Sequence, residues 1–403
     1  MPLGLKLYNA RVTLSNERLL ALDRLLVLKR PFELRAIDAW RQGLLLGFIR
    51  PYIGQAVRAV GTCAALAEGD DITCTHRGHG HRIAKRGDMR DRVAERATRA
   101  ADDCAGKGGN LHRIDVDPGL VGANGIGAGD IRVAVGPGLA FQKRRTPRAQ
   151  ADTAQIPATH VPRGPGMGTR PGTRSRVTQV FFGDGVANAE TFHEARNLAG
   201  LWRRPVVFCE INLNLNFDGQ GLPQHKQASV SQRSGRATGD NRPGIFVDDK
   251  DVRVVFEVTC TAVPGARRGH GPEFVEGRTY RGCGLDEGDH EGDPRVYRTH
   301  GERAHWQKLD PSRVSSKVLV ERGIAASQIE AVEGAAAVSA NAIPSARVAD
   351  ALLSGYGEAH NGRVFEWKGR NNYHILAQIS RFFAPGFVSH LGCLSPNPSP
   401  YPQ

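Results

Sequence analysis

Several features that would define common protein classes are missing from this sequence of 403 residues. Its seven cysteines are odd in number and form no C-x-x-C pair, which argues against a disulfide framework and against a structural zinc site. No apolar run approaches 18 residues, and the N-terminus lacks the apolar core of a signal peptide. We therefore expect a cytoplasmic protein without a membrane segment and with reduced cysteines.

Acidic residues are too few to balance the basic ones, and the net charge is +13. Such a charge can favour nucleic acid as a partner. The basic excess is concentrated in residues 141–176, which have one aromatic residue, Phe141, and no helical or strand periodicity. Stacking on bases or insertion into a groove would lack a platform there. Nucleic-acid binding is therefore the least favoured interpretation.

Two segments, 141–176 and 213–242, have no apolar pattern at all. We predict that they are disordered, or that they result from local reading-frame shifts, since GC-rich coding sequence read out of frame is rich in arginine, proline and glycine. They interrupt a domain that we place at 17–350. Residues 1–16 would form an N-terminal extension, and 351–403 a C-terminal tail.

The regular patterns alternate between strands and helices, which predicts an α/β fold. A helix over 15–46 would be capped by Ser15, a second helix would end near Gly69, and a strand followed by a helix would occupy 245–258. A further helix is expected near 325–338.

The clearest unit is 177–212, where "VTQVFF" and "PVVFCEIN" flank a helical pattern that Pro205 ends. Strand, helix and strand in this order form a βαβ unit with parallel strands. Asp184 stands between two glycines directly after the first strand, at the edge of the sheet where such folds bind ligands.

Asp184 has the character of a cation ligand. Magnesium binds one or two carboxylates together with phosphate oxygens, and a helix that follows a glycine turn offers N–H groups to phosphate. The alternative is a plain turn in which Asp184 caps the helix. The sequence "THRGHGH" supplies His76, His79 and His81, which could hold a metal ion; an anion site, with His79 as a hydrogen-bonding partner that orders the loop, is the favoured interpretation.

Four stretches in this order resemble the α subunit of thiamine-diphosphate-dependent 2-oxo acid dehydrogenases, the E1 component, of the pyruvate and acetoin type. The stretch "FFGDGVANAETFHEARNLAGLWRRPVVFCEIN" resembles the cofactor signature of that family. The other stretches are "LGFIRPYIGQAVRAVG", "TCTHRGHGHRIAKRGD" with "AGKGGNLH" and "GANGIGAG", and "PGIFVDDKDVRVVFEV" with "EGRTYRGCGLDEGDHEGDPRVYR". The resemblance implies the thiamine-diphosphate-binding fold, a parallel sheet flanked by helices on both faces.

The resemblance also implies roles for individual residues. Asp184 and Asn212 would bind Mg²⁺, and His112 and His290 would be catalytic and handle protons at the reacting carbon. The remaining residues would contact thiamine diphosphate, either at its diphosphate or at its aminopyrimidine: His76, Arg77, Gly125, Ile126, Gly185 and Val186.

The sequence departs from the family at several of these places. Arg50 stands where the family has histidine, and the acid of the G-Q-E-A motif is missing. Asn212 falls one position before the usual metal-binding asparagine, which is Leu213 here. In the scrambled loop either His290 or Asp289 could take the place of the family's histidine.

By this resemblance the protein would oxidatively decarboxylate pyruvate or cleave acetoin and pass the two-carbon unit to a lipoyl-bearing E2 partner. The α chain contains one half of the cofactor site, so it would need an E1 β subunit in an α2β2 heterotetramer. The alternative is a decayed, non-catalytic paralogue that keeps the fold.

Overall fold

The structure is a computed structural model that describes residues 14–42, 45, 49–87, 95, 104, 108–109, 111–145, 176–212, 244–284 and 300–339. All of them belong to one of the two units into which the chain divides, Met1–Leu353; the other unit, Ser354–Gln403, lies outside the described residues. The predicted C-terminal tail at 351–403 and most of the predicted extension at 1–16 therefore lie outside them as well.

A six-stranded parallel sheet in the order β2-β1-β3-β4-β6-β5 forms the centre of the fold. Its strands are β1 (Asp71–Cys74), β2 (Leu120–Ala123), β3 (Thr178–Gly183), β4 (Val206–Asn212), β5 (Ile245–Asp248) and β6 (Glu273–Arg278). The helices are α1 (Asn16–Arg41), α2 (Ala56–Ala65), α3 (Gly78–Ala84), α4 (Gly129–Arg145), α5 (Glu190–Leu201), α6 (Val252–Arg267), α7 (His300–Lys308), α8 (Pro311–Glu321) and α9 (326–339).

Both faces of the sheet are covered, because successive side chains of a strand point to opposite faces. In β3, Phe181 packs into the cluster formed by α1, α2 and α6, whereas Phe182 packs against α4 and α5. Strands buried on both faces are apolar without regular alternation, which is why 177–183 and 205–211 are mostly apolar, interrupted by the buried Thr178, Gln179 and Glu210. The predicted parallel sheet with helices on both faces is confirmed.

The βαβ unit predicted at 177–212 is present as β3, α5 and β4, with Thr178 paired to Val206 and Gly183 to Ile211. Ser15 caps α1 as predicted, since its Oγ accepts the N–H of Arg18 at 3.2 Å. Helix α1 ends at Arg41, five residues before the predicted end.

Helix α4 extends to Arg145, so it enters the segment 141–176 that the sequence predicted to lack structure. Phe141 is buried, and the guanidinium carbon of Arg176 lies 5.9 Å from the centre of its ring. The two ends of the segment are thus packed together, and the predicted boundaries were too wide. Residues 146–175 and the other patternless segment, 213–242, lie outside the described residues.

A buried ion pair joins the helical layer to the sheet. Arg58 of α2 donates from Nε to Asp249 Oδ2 at 2.8 Å, and its Nη2 lies 2.6 Å from Oδ1; both side chains are fully buried. Burial alone would lower the pKa of Arg58, but the carboxylate of Asp249 more than offsets this and raises it. The guanidinium fills the space beside Gly277 of β6, where any added Cβ would overlap it.

Because removal of one partner leaves a buried charge unpaired, we predict that Asp249→Ala lowers the free energy of unfolding by about 3–5 kcal/mol. The double variant Arg58→Met/Asp249→Ala should recover much of this loss. Urea unfolding measures both changes. Glu194→Ala is the control, since it breaks an exposed pair with Arg132 that is worth about 1 kcal/mol or less. Equal losses for Asp249→Ala and Glu194→Ala would contradict the prediction.

Candidate active site

The candidate site lies at the carboxyl ends of β1 and β3. These strands are neighbours, but the chain continues from β1 to β2 on one side and from β3 to β4 on the other. Such a reversal opens a crevice at the strand ends, where α/β folds bind ligands. The pair His76–Arg77 follows β1, and the pair Asp184–Gly185 follows β3.

The turn that carries Asp184 is open on its outer side. A Cβ atom added at Gly183 or Gly185 would meet no atom within 4 Å. Asp184 begins a single 3-10 turn, Asp184–Asn188, and its Oδ1 accepts the N–H of Gly185 at 3.1 Å. Helix α5 begins only at Glu190. The alternative in which Asp184 caps the following helix is therefore not observed.

A glycine-rich loop after β2 closes one side of this turn. Asn124 Oδ1 accepts the N–H of Ile126 at 2.7 Å, which folds the loop back. Gly127 contacts Val186, since a Cβ at Gly127 would lie 2.8 Å from Val186 Cγ2. Ile126 is 56% exposed.

His112 lies beside the same loop. A Cβ at Gly125 would be 3.8 Å from both Cε1 and Nε2 of His112. Partial burial lowers the pKa of His112, which favours the neutral imidazole near pH 7. The structure thus brings His112 and Gly125 together, and Ile126 follows directly in that loop.

Three arginines converge on His76. Arg77 donates from Nη1 to His76 Nε2 at 2.7 Å and from Nε to the carbonyl of Pro51 at 3.0 Å. Burial, followed by the charges of Arg77, Arg50 and Arg281, lowers the pKa of His76 to about 2. His76 is therefore neutral, and it accepts the hydrogen bond from Arg77.

The same cluster acts on Arg77 itself. Burial and the charges of Arg281 and Arg50 lower the pKa of Arg77 to about 9. Arg77 follows β1 and Arg281 follows β6, so these cations meet across the carboxyl edge of the sheet. An excess of positive charge in a half-buried crevice suits a multiply charged anion. The donor set therefore fits the diphosphate of the implied cofactor.

A buried layer lies beneath the site. His79 Nε2 is 2.6 Å from Glu33 Oε1, and Tyr52 Oη is 3.1 Å from His81 Nε2. His79 is a hydrogen-bonding partner, as the sequence predicted, but it lies in α3 and joins that helix to α1, so the predicted loop is a helix here. No group of three or more His, Cys, Asp or Glu residues that could hold a metal ion occurs in the described part of the chain, so the alternative of a metal bound by these histidines is not supported.

Several predicted site residues cannot be placed. Asn212 ends β4 opposite Arg278 of β6, but its side chain lies outside what the structure describes. His290, Asp289 and Leu213 lie outside the described residues altogether.

Within the described helices, none is both long and apolar enough to cross a membrane. The six cysteines of the described ranges are free thiols.

Sequence reasoning missed the contributions of Arg50, Arg281 and Glu33. Glu33 contacts a residue 46 positions away, and Arg281 acts on a loop 200 positions earlier, so no local pattern indicates either contact. The sequence did single out Arg50, because it replaces a histidine of the family that the sequence resembles.

Comparison with known proteins identifies the family. Residues 24–343 match the family described as "Dehydrogenase E1 component". The match covers most of the chain, and the chain belongs to this family, as its motifs predicted. Membership implies thiamine diphosphate as the cofactor and a β partner chain within a larger E1–E2 complex.

Individual relatives are similar over most of their length. The α subunit of acetoin:2,6-dichlorophenolindophenol oxidoreductase from Bacillus subtilis (strain 168) is 36% identical over 300 residues, 74% of this chain and 80% of the relative. The protein of the same name from Cupriavidus necator is 32% identical over 320 residues, 79% of this chain and 84% of the relative. The pyruvate dehydrogenase E1 component subunit alpha of Zymomonas mobilis is 33% identical over 290 residues, 72% of each chain.

The buried Lys29 of α1 makes the stability of the fold depend on pH. Its Nζ is buried without a hydrogen-bond partner among the described residues and lies 5.2 Å from the centre of the Tyr52 ring. Burial lowers the pKa of Lys29 from 10.5 to about 7, although Cys63 and Glu33 oppose the shift. Between these two pH values the unfolded chain binds one proton more than the folded chain, so stability rises with pH.

We expect this group to contribute a slope of about 1.4 kcal/mol per pH unit to the free energy of unfolding from pH 7 to pH 10.5. Below that window the amine is protonated in both states, and its slope vanishes. Lys29→Met should remove this component. Urea unfolding at several pH values, with the exposed Lys317→Met as control, measures it; parallel profiles for the parent and Lys29→Met would refute the prediction.

Proposed function

We propose that this chain is the α subunit of a thiamine-diphosphate-dependent E1 enzyme that acts on pyruvate or acetoin together with a β subunit. The observation that supports this most strongly is the open turn at Asp184, at the switch point of the sheet and beside the cluster of arginines. A carboxylate for a cation and guanidinium groups for phosphate stand at the same crevice. The α2β2 assembly, the lipoyl-bearing E2 partner and the cytoplasmic location are part of this proposal.

In the proposed complex, Asp184 would hold Mg²⁺ with Asn212 as the second ligand. The diphosphate would receive hydrogen bonds from the backbone N–H groups of Gly185 and Val186 and an ion pair from Arg77, whose planar fork suits phosphate. The neutral His76 would orient Arg77. Gly125 and Ile126 would line the aminopyrimidine, where the absence of a side chain at Gly125 permits close approach.

Thiamine diphosphate, when bound, supplies the carbon nucleophile and the electron sink of the reaction. The residues of this chain supply placement and proton transfer. His112 and His290 would hold and deliver protons at the substrate oxygen, because imidazole changes charge near neutral pH. His76 cannot share this task, since burial and then the charges of Arg77, Arg50 and Arg281 lower its pKa and keep it unprotonated.

The metal role of Asp184 gives a direct test. Asp184→Ala should abolish Mg²⁺-dependent binding of thiamine diphosphate to the αβ complex, because one of the few carboxylates available to the cation is lost. Calorimetric titration with and without Mg²⁺ measures this. Asp117→Ala is the matched control, since this exposed acid precedes β2 at the opposite edge of the sheet. If Asp184→Ala bound the cofactor as tightly as Asp117→Ala did, the assignment would be wrong.

The proton-transfer roles predict a different pattern. His112→Gln and His290→Ala should each lower turnover by about 10²–10⁴-fold while cofactor affinity stays unchanged. Single-turnover decarboxylation by the reconstituted αβ enzyme is the measurement, and His193→Gln, on the exposed face of α5, is the control. If a variant turns over as fast as the parent, the histidine that it replaces is not catalytic. If the parent enzyme itself is inactive, the alternative of a decayed, non-catalytic paralogue is supported.

A further inference from the structure

Arg50 contributes charge to the arginine cluster but is assigned no direct contact with the cofactor, and its segment is held at the site from two sides. The carbonyl of the next residue, Pro51, accepts the N–H of Arg77 Nε at 3.0 Å. Two residues after Pro51, the carbonyl of Ile53 accepts the N–H of Gly282 at 2.9 Å, next to Arg281. Arg50 is therefore positioned between the loops that follow β1 and β6.

The side chain of Arg50 lacks an anionic partner within the described part of the chain. It is half-buried, and its Nε is a buried donor without a hydrogen-bond acceptor. A buried donor without an acceptor is costly, and more so for a charged group. Arg50 and Arg77 repel each other, and Arg281 adds a further positive charge next to Arg77. An anion in the crevice would supply the missing acceptor and offset the repulsion.

The two candidate substrates differ in whether they carry a negative charge. A 2-oxo acid carries a carboxylate next to its reacting carbonyl, whereas acetoin is neutral. A guanidinium pairs with a carboxylate through two parallel hydrogen bonds. We propose that Arg50 binds the carboxylate of the substrate and thereby selects a 2-oxo acid such as pyruvate over acetoin. This inference rests on the proposed function.

The chemistry predicts which kinetic constant responds. During decarboxylation the bond between the carboxylate carbon and the carbonyl carbon breaks, its electron pair stays on the carbonyl carbon, and the carboxylate leaves as neutral CO₂. The ion pair with Arg50 is therefore strongest in the bound substrate and weakens towards the transition state. An interaction of this kind lowers KM without raising kcat.

The test uses the α chain reconstituted with its β subunit, thiamine diphosphate and Mg²⁺. Loss of a charge-assisted hydrogen bond in Arg50→Gln should raise KM for pyruvate about 10- to 100-fold, with kcat unchanged or higher and with acetoin kinetics unaffected. Arg50→Lys should restore part of the affinity, and the exposed Arg132→Gln should behave as the parent does. A purely structural role would change both substrates together.

A binding measurement separates this inference from the proposed function. Oxamate, an unreactive anion shaped like pyruvate, and neutral oxamide are titrated into the complex by calorimetry. The parent should prefer oxamate, and Arg50→Gln should lose about 10- to 100-fold in this preference while its circular dichroism and melting temperature stay those of the parent. Equal preference in parent and variant, or a parent that favours acetoin, overturns the role of Arg50. Turnover of neither substrate, with the oxamate preference intact, contradicts the proposed function alone.

Discussion

The buried pair of Arg58 and Asp249 is the constraint on which the geometry of the site depends. It joins α2 to the turn after β5, and the Nη1 atom of Arg58 also lies 3.4 Å from Cys209 Sγ in β4. Helix α2 is thereby fixed over the centre of the sheet. The segment 49–55 runs directly into α2, so it is fixed as well, and it carries Arg50 to the carboxyl edge. A packing interaction within the core thus determines where a charged group stands in the crevice.

Positive charges that meet at the carboxyl edge of the sheet make the site suited to anions. Arg50, Arg77 and Arg281 come from three separate segments, and their mutual repulsion is offset only in part by Glu33, which raises the pKa of Arg77 against the dominant effect of burial. Preorganised charges of this kind act more strongly the more they are buried, and Arg77 and Arg281 are buried. Burial, reinforced by these charges, keeps His76 neutral. Anion binding and proton transfer are therefore divided between different residues, with the histidines away from the cluster left for the second task.

Features that depend on residues close together in the sequence could be predicted, and features that depend on contacts between distant residues could not. The βαβ unit, the cap at Ser15 and the position of Asp184 follow from residues within about one element of each other, and all three could be predicted. The extension of α4 to Arg145 could not, because Phe141 is stabilised by Arg176, which lies 35 positions away behind a segment without periodicity. The arginine cluster forms because loops after different strands meet at one edge of the sheet. The periodicity of the sequence does not predict which loops meet. Resemblance to the family supplied the roles of Gly125 and His112, and the contact between them came only from the structure.

The pattern of paired and unpaired charges bears on whether the chain has decayed. Buried or half-buried charges from distant segments meet correct partners: Arg267 contacts Asp70, Arg82 contacts Asp115, and Glu33 contacts His79. Such long-range pairs would be lost early if selection on the fold were relaxed, since each unpaired member destabilises the core. Buried cationic atoms without an acceptor among the described residues occur in several places: Arg176 Nε packs near Phe141, whereas Lys29 Nζ and Arg50 Nε lie beside or within the segment 49–55. Departures from charge pairing are expected where a protein binds a ligand. The long-range charge pairs of the described regions are therefore those expected of a fold that is still maintained.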